Sequence, residues 1–216
     1  KIGIVGLGYV GLPLGLEFSE KDYFVLGFDI DETKIPILNN GNSYIKHIKA
    51  ERIKNAVFNK KFEATSDFSR LIEVDAIIIC VPTPLDEHRE PDISYIENSG
   101  KVIAKYLRKG QIVALESSTY PGTTDEILLP LFEEVEFIQQ LENPRKFVVG
   151  KDFYLAFSPE REDPNNPDFT TATIPKVVGG VTANCSEIAN ALYSAVIIKT
   201  VPVSSTRAAE ATKLLE

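Results

Sequence analysis

Gly6-Leu7-Gly8-Tyr9-Val10-Gly11 leaves this chain few folds to enter, because three glycines at that spacing need a particular kind of turn. Residues 1 to 6 are apolar and β-prone, and residues 11 to 20 can continue as a helix, so the glycines fall at a strand-to-helix turn. There Gly6 permits the tight reversal, Gly8 lets the backbone approach a ligand, and Gly11 lets the helix pack closely on the strand. The helix start offers free N–H groups and a positive dipole end, which together suit a phosphate. The same glycines also fit a purely structural turn, so the rest of the chain has to decide between the two.

A second strand is expected over Tyr23 to Asp29, which puts an acidic residue 18 positions after Gly11. That is near the spacing of about 20 in a dinucleotide fingerprint. Asp29 would accept hydrogen bonds from the adenosine ribose hydroxyls and repel a 2′-phosphate, which selects NAD over NADP. The segment DETKIPILNN begins a helical turn that Pro36 keeps short. EVDAIIICVP carries a continuous apolar run, Ala76 to Val81, as a strand covered on both faces does. Val81, Pro82 and Thr83 then stand at the carboxyl end of an inner strand, where open α/β sheets bind ligands.

Ser94 to Glu97 has capping-box spacing, and apolar positions keep one helical face to about Leu107. QIVALES reads as the next strand, and Thr123-Thr124-Asp125-Glu126 as a second capping box that starts a helix after Pro121-Gly122. DFYLAFSPE and PKVVGG read as strands, residues from about Asn184 to Tyr193 as a helix, and AVIIKTVPV as a last strand. Strands alternating with helices predict an α/β fold, a doubly wound and mostly parallel sheet of Rossmann type. The domain is expected over residues 1–203, with 204–216 starting a connecting helix.

A net charge of −8 with no basic patch argues against nucleic acid and against a membrane surface as partners. Two cysteines are too few for a disulfide framework and nothing pairs them as metal ligands, so a reducing cytoplasm is the expected compartment. Residues 2 to 18 are apolar enough to resemble a signal peptide, but five glycines and Pro13 interrupt the run. The chain contains no methionine and ends in good helix formers without a cap, so it is expected to be a piece of a longer protein.

GLGYVGLP, FDIDETK, CVPTPLD, SSTYPGTT, FSPERE, PKVVGG and EATKLLE follow one another along the chain. In this order they resemble the UDP-glucose/GDP-mannose dehydrogenase family of nucleotide-sugar 6-dehydrogenases, over essentially the whole length. EREDP, with SYIKHI near residue 45, is most similar to the UDP-N-acetylglucosamine 6-dehydrogenase branch. The resemblance implies oxidation of the C6 alcohol of a UDP-sugar to a carboxylate with two NAD+. A cysteine thiolate carries the second step through a thiohemiacetal and a thioester.

By the same resemblance Gly6, Gly8, Tyr9, Val10, Gly11, Asp29, Lys34, Val81, Pro82, Thr83, Ser118 and Thr119 bind the cofactor. Thr119 and Glu160 act together on a water for proton transfer and hydrolysis. Lys213 stabilises oxyanion charge. Glu160, Arg161, Glu162 and Lys213 meet the sugar nucleotide, and the whole protein pairs as a homodimer or higher oligomer through a central helix. Cys80 reads as a buried, inert thiol, and Cys185 sits near a helix start with no base beside it. The family nucleophile is therefore expected beyond residue 216, and these 216 residues alone are expected to bind cofactor without turnover.

Other possibilities stay open at this point. Ser117 to Thr119 fit a strand running into a Pro-Gly turn, Glu160 fits a solvated position after a proline, and Lys213 fits a surface charge. His47 and His88 lack partners at metal or triad spacing and read as ordinary loop residues. UDP-glucose remains the alternative substrate. Another Rossmann dehydrogenase would lack the SSTYPGTT and FSPERE pair, and an NAD-binding module without catalysis is the reading of a different class.

Overall fold

The first strand, β1 (Ile2–Val5), is buried along its whole length because its side chains enter two separate cores. Ile2 and Ile4 join one cluster and Val5 the other, one on each face of the sheet. The computed structural model describes residues 1–85, 91–137, 145–160 and 174–213. β1 is followed by α1 (Gly11–Glu20), β2 (Val25–Phe28), α2 (Lys34–Asn39), α3 (Ala50–Phe58) and β3 (Phe62–Thr65). A 3-10 helix over Phe68–Glu73 leads to β4 (Ala76–Ile79), then α4 (Ser94–Tyr106) and β5 (Ile112–Leu115). A π-helical turn, Thr124–Leu128, runs into α5 (Leu129–Glu133). Next come a small hairpin of β6 (Glu136–Phe137) and β7 (Arg145–Lys146), then β8 (Tyr154–Phe157) and β9 (Lys176–Gly180). α6 (Ala183–Ser194), β10 (Thr200–Pro202) and α7 (Thr206–Thr212) complete the order.

Eight strands form one sheet in the order β10-β9-β8-β5-β4-β1-β2-β3. From β3 to β8 every neighbour is parallel, with Ile2 opposite both Val25 and Ala76. The strand order reverses beside β1, which opens a crevice at the carboxyl ends of β1 and β4. β9 runs antiparallel to β8, so the expected sheet is mostly, not wholly, parallel.

Helices cover both faces, and this accounts for the unbroken apolar strands. On β4, Ala76 and Ile78 join the core that includes α1, whereas Ile77 and Ile79 join the core that includes α4. Pro13 lies in the first turn of α1, where a missing N–H does no harm.

Three expectations need correction. Neither capping box forms. Asp92 accepts the Ser94 N–H, while Ser94 makes no side-chain cap. At the second, the Thr123 hydroxyl donates to the Tyr120 carbonyl, and the N–H groups of the turn find a partner far away in sequence. The last strand is only three residues long, because residues 195–199 are spent leaving α6. α3 and β3 carry no sequence expectation at all. β3 alternates Phe62 and Ala64 inward with Glu63 and Thr65 half-exposed, as an edge strand does.

Candidate functional site

Gly6 has φ of +96°, a left-handed conformation that favours glycine, and it brings the turn against β4. A Cβ on Gly6 would stand 2.5 Å from the Cys80 carbonyl oxygen, and one on Gly11 would stand 1.9 Å from the Gly6 carbonyl oxygen. No side chain fits at either position. Gly8 meets nothing within 4 Å and opens onto a cavity, so here the glycine leaves room for a ligand. The backbone thus forms a cradle at the start of α1, which suits a pyrophosphate.

Asp29 follows β2 and is nearly buried. Its Oδ2 accepts from the Leu7 N–H at 3.0 Å and from Lys34 Nζ at 2.9 Å, and its Oδ1 accepts from the Asp31 N–H at 2.9 Å. Two carboxylate oxygens offer about four acceptor sites, so Oδ1 keeps capacity for a ribose hydroxyl. The Tyr44 hydroxyl donates to the Leu7 carbonyl, and its ring lies under Lys34 at 5.7 Å. His47 stacks on Tyr9 with ring centroids 5.5 Å apart. SYIKHI therefore packs on the glycine turn.

Two cavities lie side by side over the strand ends. The larger, about 770 Å³, is lined by Gly6, Gly8, Asp29 and Lys34 at one side and by Phe68, Tyr95 and Val102 at the other. The smaller, about 230 Å³, is lined by Thr83, Ser118, Glu116, Glu160 and Lys213. They share Val10, Cys80, Val81 and Pro82. An extended ligand in two parts matches this shape.

The floor of the smaller cavity is charged. Lys176 Nζ, nearly buried on β9, reaches Glu160 Oε2 at 2.8 Å and Glu116 Oε2 at 3.1 Å. It also lies 5.4 Å from the Tyr193 ring centroid. Burial alone would lower the pKa of Lys176, but the two carboxylates more than reverse this and hold it charged. Glu116 is pushed up to about 7, first by burial and further by Glu160, with Lys176 opposing. The Tyr193 hydroxyl interacts with Glu116, yet neither it nor Glu116 Oε1 completes a hydrogen bond of ordinary geometry. Burial pushes the Cys80 thiol well up, so it is not poised as a thiolate; Cys185 is also buried, and its Sγ accepts from the Leu155 N–H.

A third buried carboxylate organises the turn after β5. Glu210 on α7 accepts from the N–H groups of Gly122 and Thr124 and from the Thr124 hydroxyl. These are the donors that open the helix after Pro121-Gly122, so a residue 86 positions away from Thr124 acts as its cap. Thr206 and Arg207 bind Asp125 in the same place.

Most of the sequence-predicted residues meet here. Gly6, Gly8, Tyr9, Val10, Asp29, Lys34, Val81 and Pro82 line the larger cavity. Thr83, Ser118, Glu160 and Lys213 line the smaller one. Gly11 lies beneath the turn. The Thr119 hydroxyl is buried against Thr123 and does not line either cavity. Arg161, Glu162 and His88 lie outside the described residues. Lys213 is no free surface charge, because Nζ donates to the Glu160 carbonyl at 2.6 Å. Glu160 is likewise not solvated, being only 8% exposed.

Sequence reasoning missed Glu116, Lys176 and Glu210. The first two had a legible signal, a charged residue abutting an apolar run at the end of IVAL and at the start of VVGG.

The sequence profile described as UDP-glucose/GDP-mannose dehydrogenase family, NAD binding domain, matches residues 1–197. Protein CapL of Staphylococcus aureus is 38% identical over 217 aligned residues, covering 100% of this chain and 48% of that protein. A UDP-N-acetyl-D-glucosamine 6-dehydrogenase of Pseudomonas aeruginosa is 36% identical with the same coverage. The structure of a UDP-N-acetyl-mannosamine dehydrogenase from S. aureus superposes with a TM-score of 0.86 at 29% identity, over 100% of this chain and 49% of that one. The chain thus spans about half the length of the relatives it matches.

Proposed function

The chain belongs to the NAD-binding domain of the UDP-glucose/GDP-mannose dehydrogenase family, and from that premise we propose that the full-length protein is an NAD-dependent UDP-N-acetylhexosamine 6-dehydrogenase. The observation that carries this reading is the junction of the two cavities. Glu160 and Lys213 line the end farther from the ribose-binding Asp29, and Val10, Cys80, Val81 and Pro82 form the wall common to both.

NAD+, when bound, supplies the hydride acceptor for oxidation of an alcohol. The turn from Gly6 to Gly11 would hold its pyrophosphate on backbone N–H groups, and Asp29 would hold the adenosine ribose. Val81, Pro82 and Thr83 would orient the ring end. Glu160 would take the C6 hydroxyl proton as general base, and Lys213 would stabilise the charge developing on that oxygen. Thr119, committed to Thr123, would act by fixing the geometry of the Ser117–Thr123 turn or by joining a bound water.

The relatives named for N-acetylated sugars support a UDP-N-acetylhexosamine as substrate. A panel of UDP-sugars with the full-length protein tests this by NADH formation. A higher kcat/KM for a UDP-N-acetylhexosamine than for UDP-glucose is expected. Preference for UDP-glucose would reject the substrate class, and no turnover of any UDP-sugar would reject the activity.

A further inference from the structure

Lys176 is a buried ammonium that touches two buried carboxylates, one of which belongs to the proposed base. We infer that Lys176 and Glu116 are positioning residues that together fix the orientation and basicity of the Glu160 carboxylate. This rests on the dehydrogenase reading above, in which Glu160 takes the alcohol proton.

The geometry argues for more than a structural ion pair. Both contacts use Oε2 atoms, at 3.1 Å on Glu116 and 2.8 Å on Glu160, so one ammonium is shared by two carboxylates and bridges β5, β8 and β9. A lone buried pair has one arrangement. A three-membered group with excess negative charge has two protonation states, and each gives Glu160 a different share of the ammonium. The cluster also reaches the cavity, since Glu116 and Glu160 both line it, whereas a purely structural bridge needs no exposure to a ligand.

Among the described residues, the groups facing this cluster come from six elements. Cys80 follows β4, Glu116 follows β5, Glu160 follows β8, Lys176 starts β9, and Tyr193 lies on α6. Lys213 follows α7 and holds the Glu160 main chain through its carbonyl. Cys80 and Tyr193 stay protonated, their thiol and hydroxyl both pushed well up by burial. Glu116, held at about 7, is then the group among these described residues whose charge changes near neutral pH. With Glu116 neutral, Lys176 serves Glu160 alone and keeps it a weak base. With Glu116 ionised, the ammonium is divided and Glu160 becomes a stronger one.

First-turnover NADH formation by the full-length protein, followed against pH with saturating NAD+ and a UDP-N-acetylhexosamine, tests the inference. Wild type should show two inflections, and Glu116→Gln should lose the one near neutral pH. Lys176→Met should move the acid limb assigned to Glu160 upward by at least about one pH unit, as loss of an adjacent opposite charge does. Lys176→Arg should move it back. Should Lys176→Met fail to fold, Glu116→Gln decides, because it keeps both volume and ammonium. A Glu116→Gln profile that superimposes on wild type, in an enzyme that turns over, would overturn the inference and leave the dehydrogenase reading standing. Wild type without turnover on any UDP-sugar would overturn that reading, and this inference with it.

Discussion

Replacing Glu210 by alanine should destabilise the protein far more than its place on a short helix at the domain's margin suggests. The side chain is fully buried and accepts from two backbone N–H groups, of Gly122 and Thr124, and from the Thr124 hydroxyl. Alanine would leave both N–H groups unpaired in a dry site, at about 1–3 kcal/mol each. The Thr124 hydroxyl can rotate toward another acceptor and adds little. Contact of α7 with β9 survives the change, since Gly179 packs against Ala209 and the Ser205 carbonyl. The expected loss is therefore about 3–5 kcal/mol. Glu210→Gln keeps one acceptor oxygen and should lose about half as much. Arg207→Ala is the control, because Arg207 is 53% exposed and its pairs with Asp125 and Glu126 are screened, so it should cost far less than Glu210→Ala. Urea unfolding of the full-length protein and each variant reads these differences. A Glu210→Ala loss below about 1 kcal/mol, or one matched by Arg207→Ala, would refute the idea that this carboxylate caps the turn.

Two further outcomes follow from the site. Wild type should bind NAD+ much more tightly than NADP+ in titration calorimetry, and Asp29→Ala should narrow that gap; equal affinities in wild type would reject the role of Asp29. Glu116 should make stability fall as pH rises. Its carboxyl is held at about 7 in the folded chain against an ordinary 4.5, so the native state binds that proton more tightly. The contribution is full below pH 4.5 and is lost on the way to pH 7. Unfolding free energies of Glu116→Gln and wild type, measured across that window, should diverge by up to about 3 kcal/mol; parallel curves would contradict the buried, protonated carboxyl.

Whether a feature of the fold or the site was legible in the sequence depends on whether a residue's partner lies near it in the chain. The glycine turn, Asp29 after the second strand and the apolar run Ala76–Val81 that holds β4 were legible because strand, turn and helix are contiguous and the apolar runs announce burial. The capping boxes misled for the same reason. Ser94 and Thr123 have the right local spacing, but the N–H groups they would have served, of Glu97 and Glu126, bond the Ile93 and Gly122 carbonyls, while Asp92 takes the Ser94 N–H and Glu210 those of Gly122 and Thr124. Spacing within four residues cannot report a partner 86 positions away. The Glu116–Lys176–Glu160 group was hidden likewise, since it forms only when β5, β8 and β9 lie side by side. Lys213 and Glu160 were named by resemblance, while their mutual contact is visible only in the fold.

On the proposed function, the two cavities hold one cofactor, with its reactive ring beside Glu160 and Lys213. A crystal structure of the full-length protein with NAD+ tests it most directly. The pyrophosphate should lie over Gly8 at the start of α1, a ribose hydroxyl on Asp29, and the nicotinamide in the smaller cavity against Val81, Pro82 and Thr83. A nicotinamide lying away from Glu160, or an adenosine end that leaves Asp29 untouched, would contradict it.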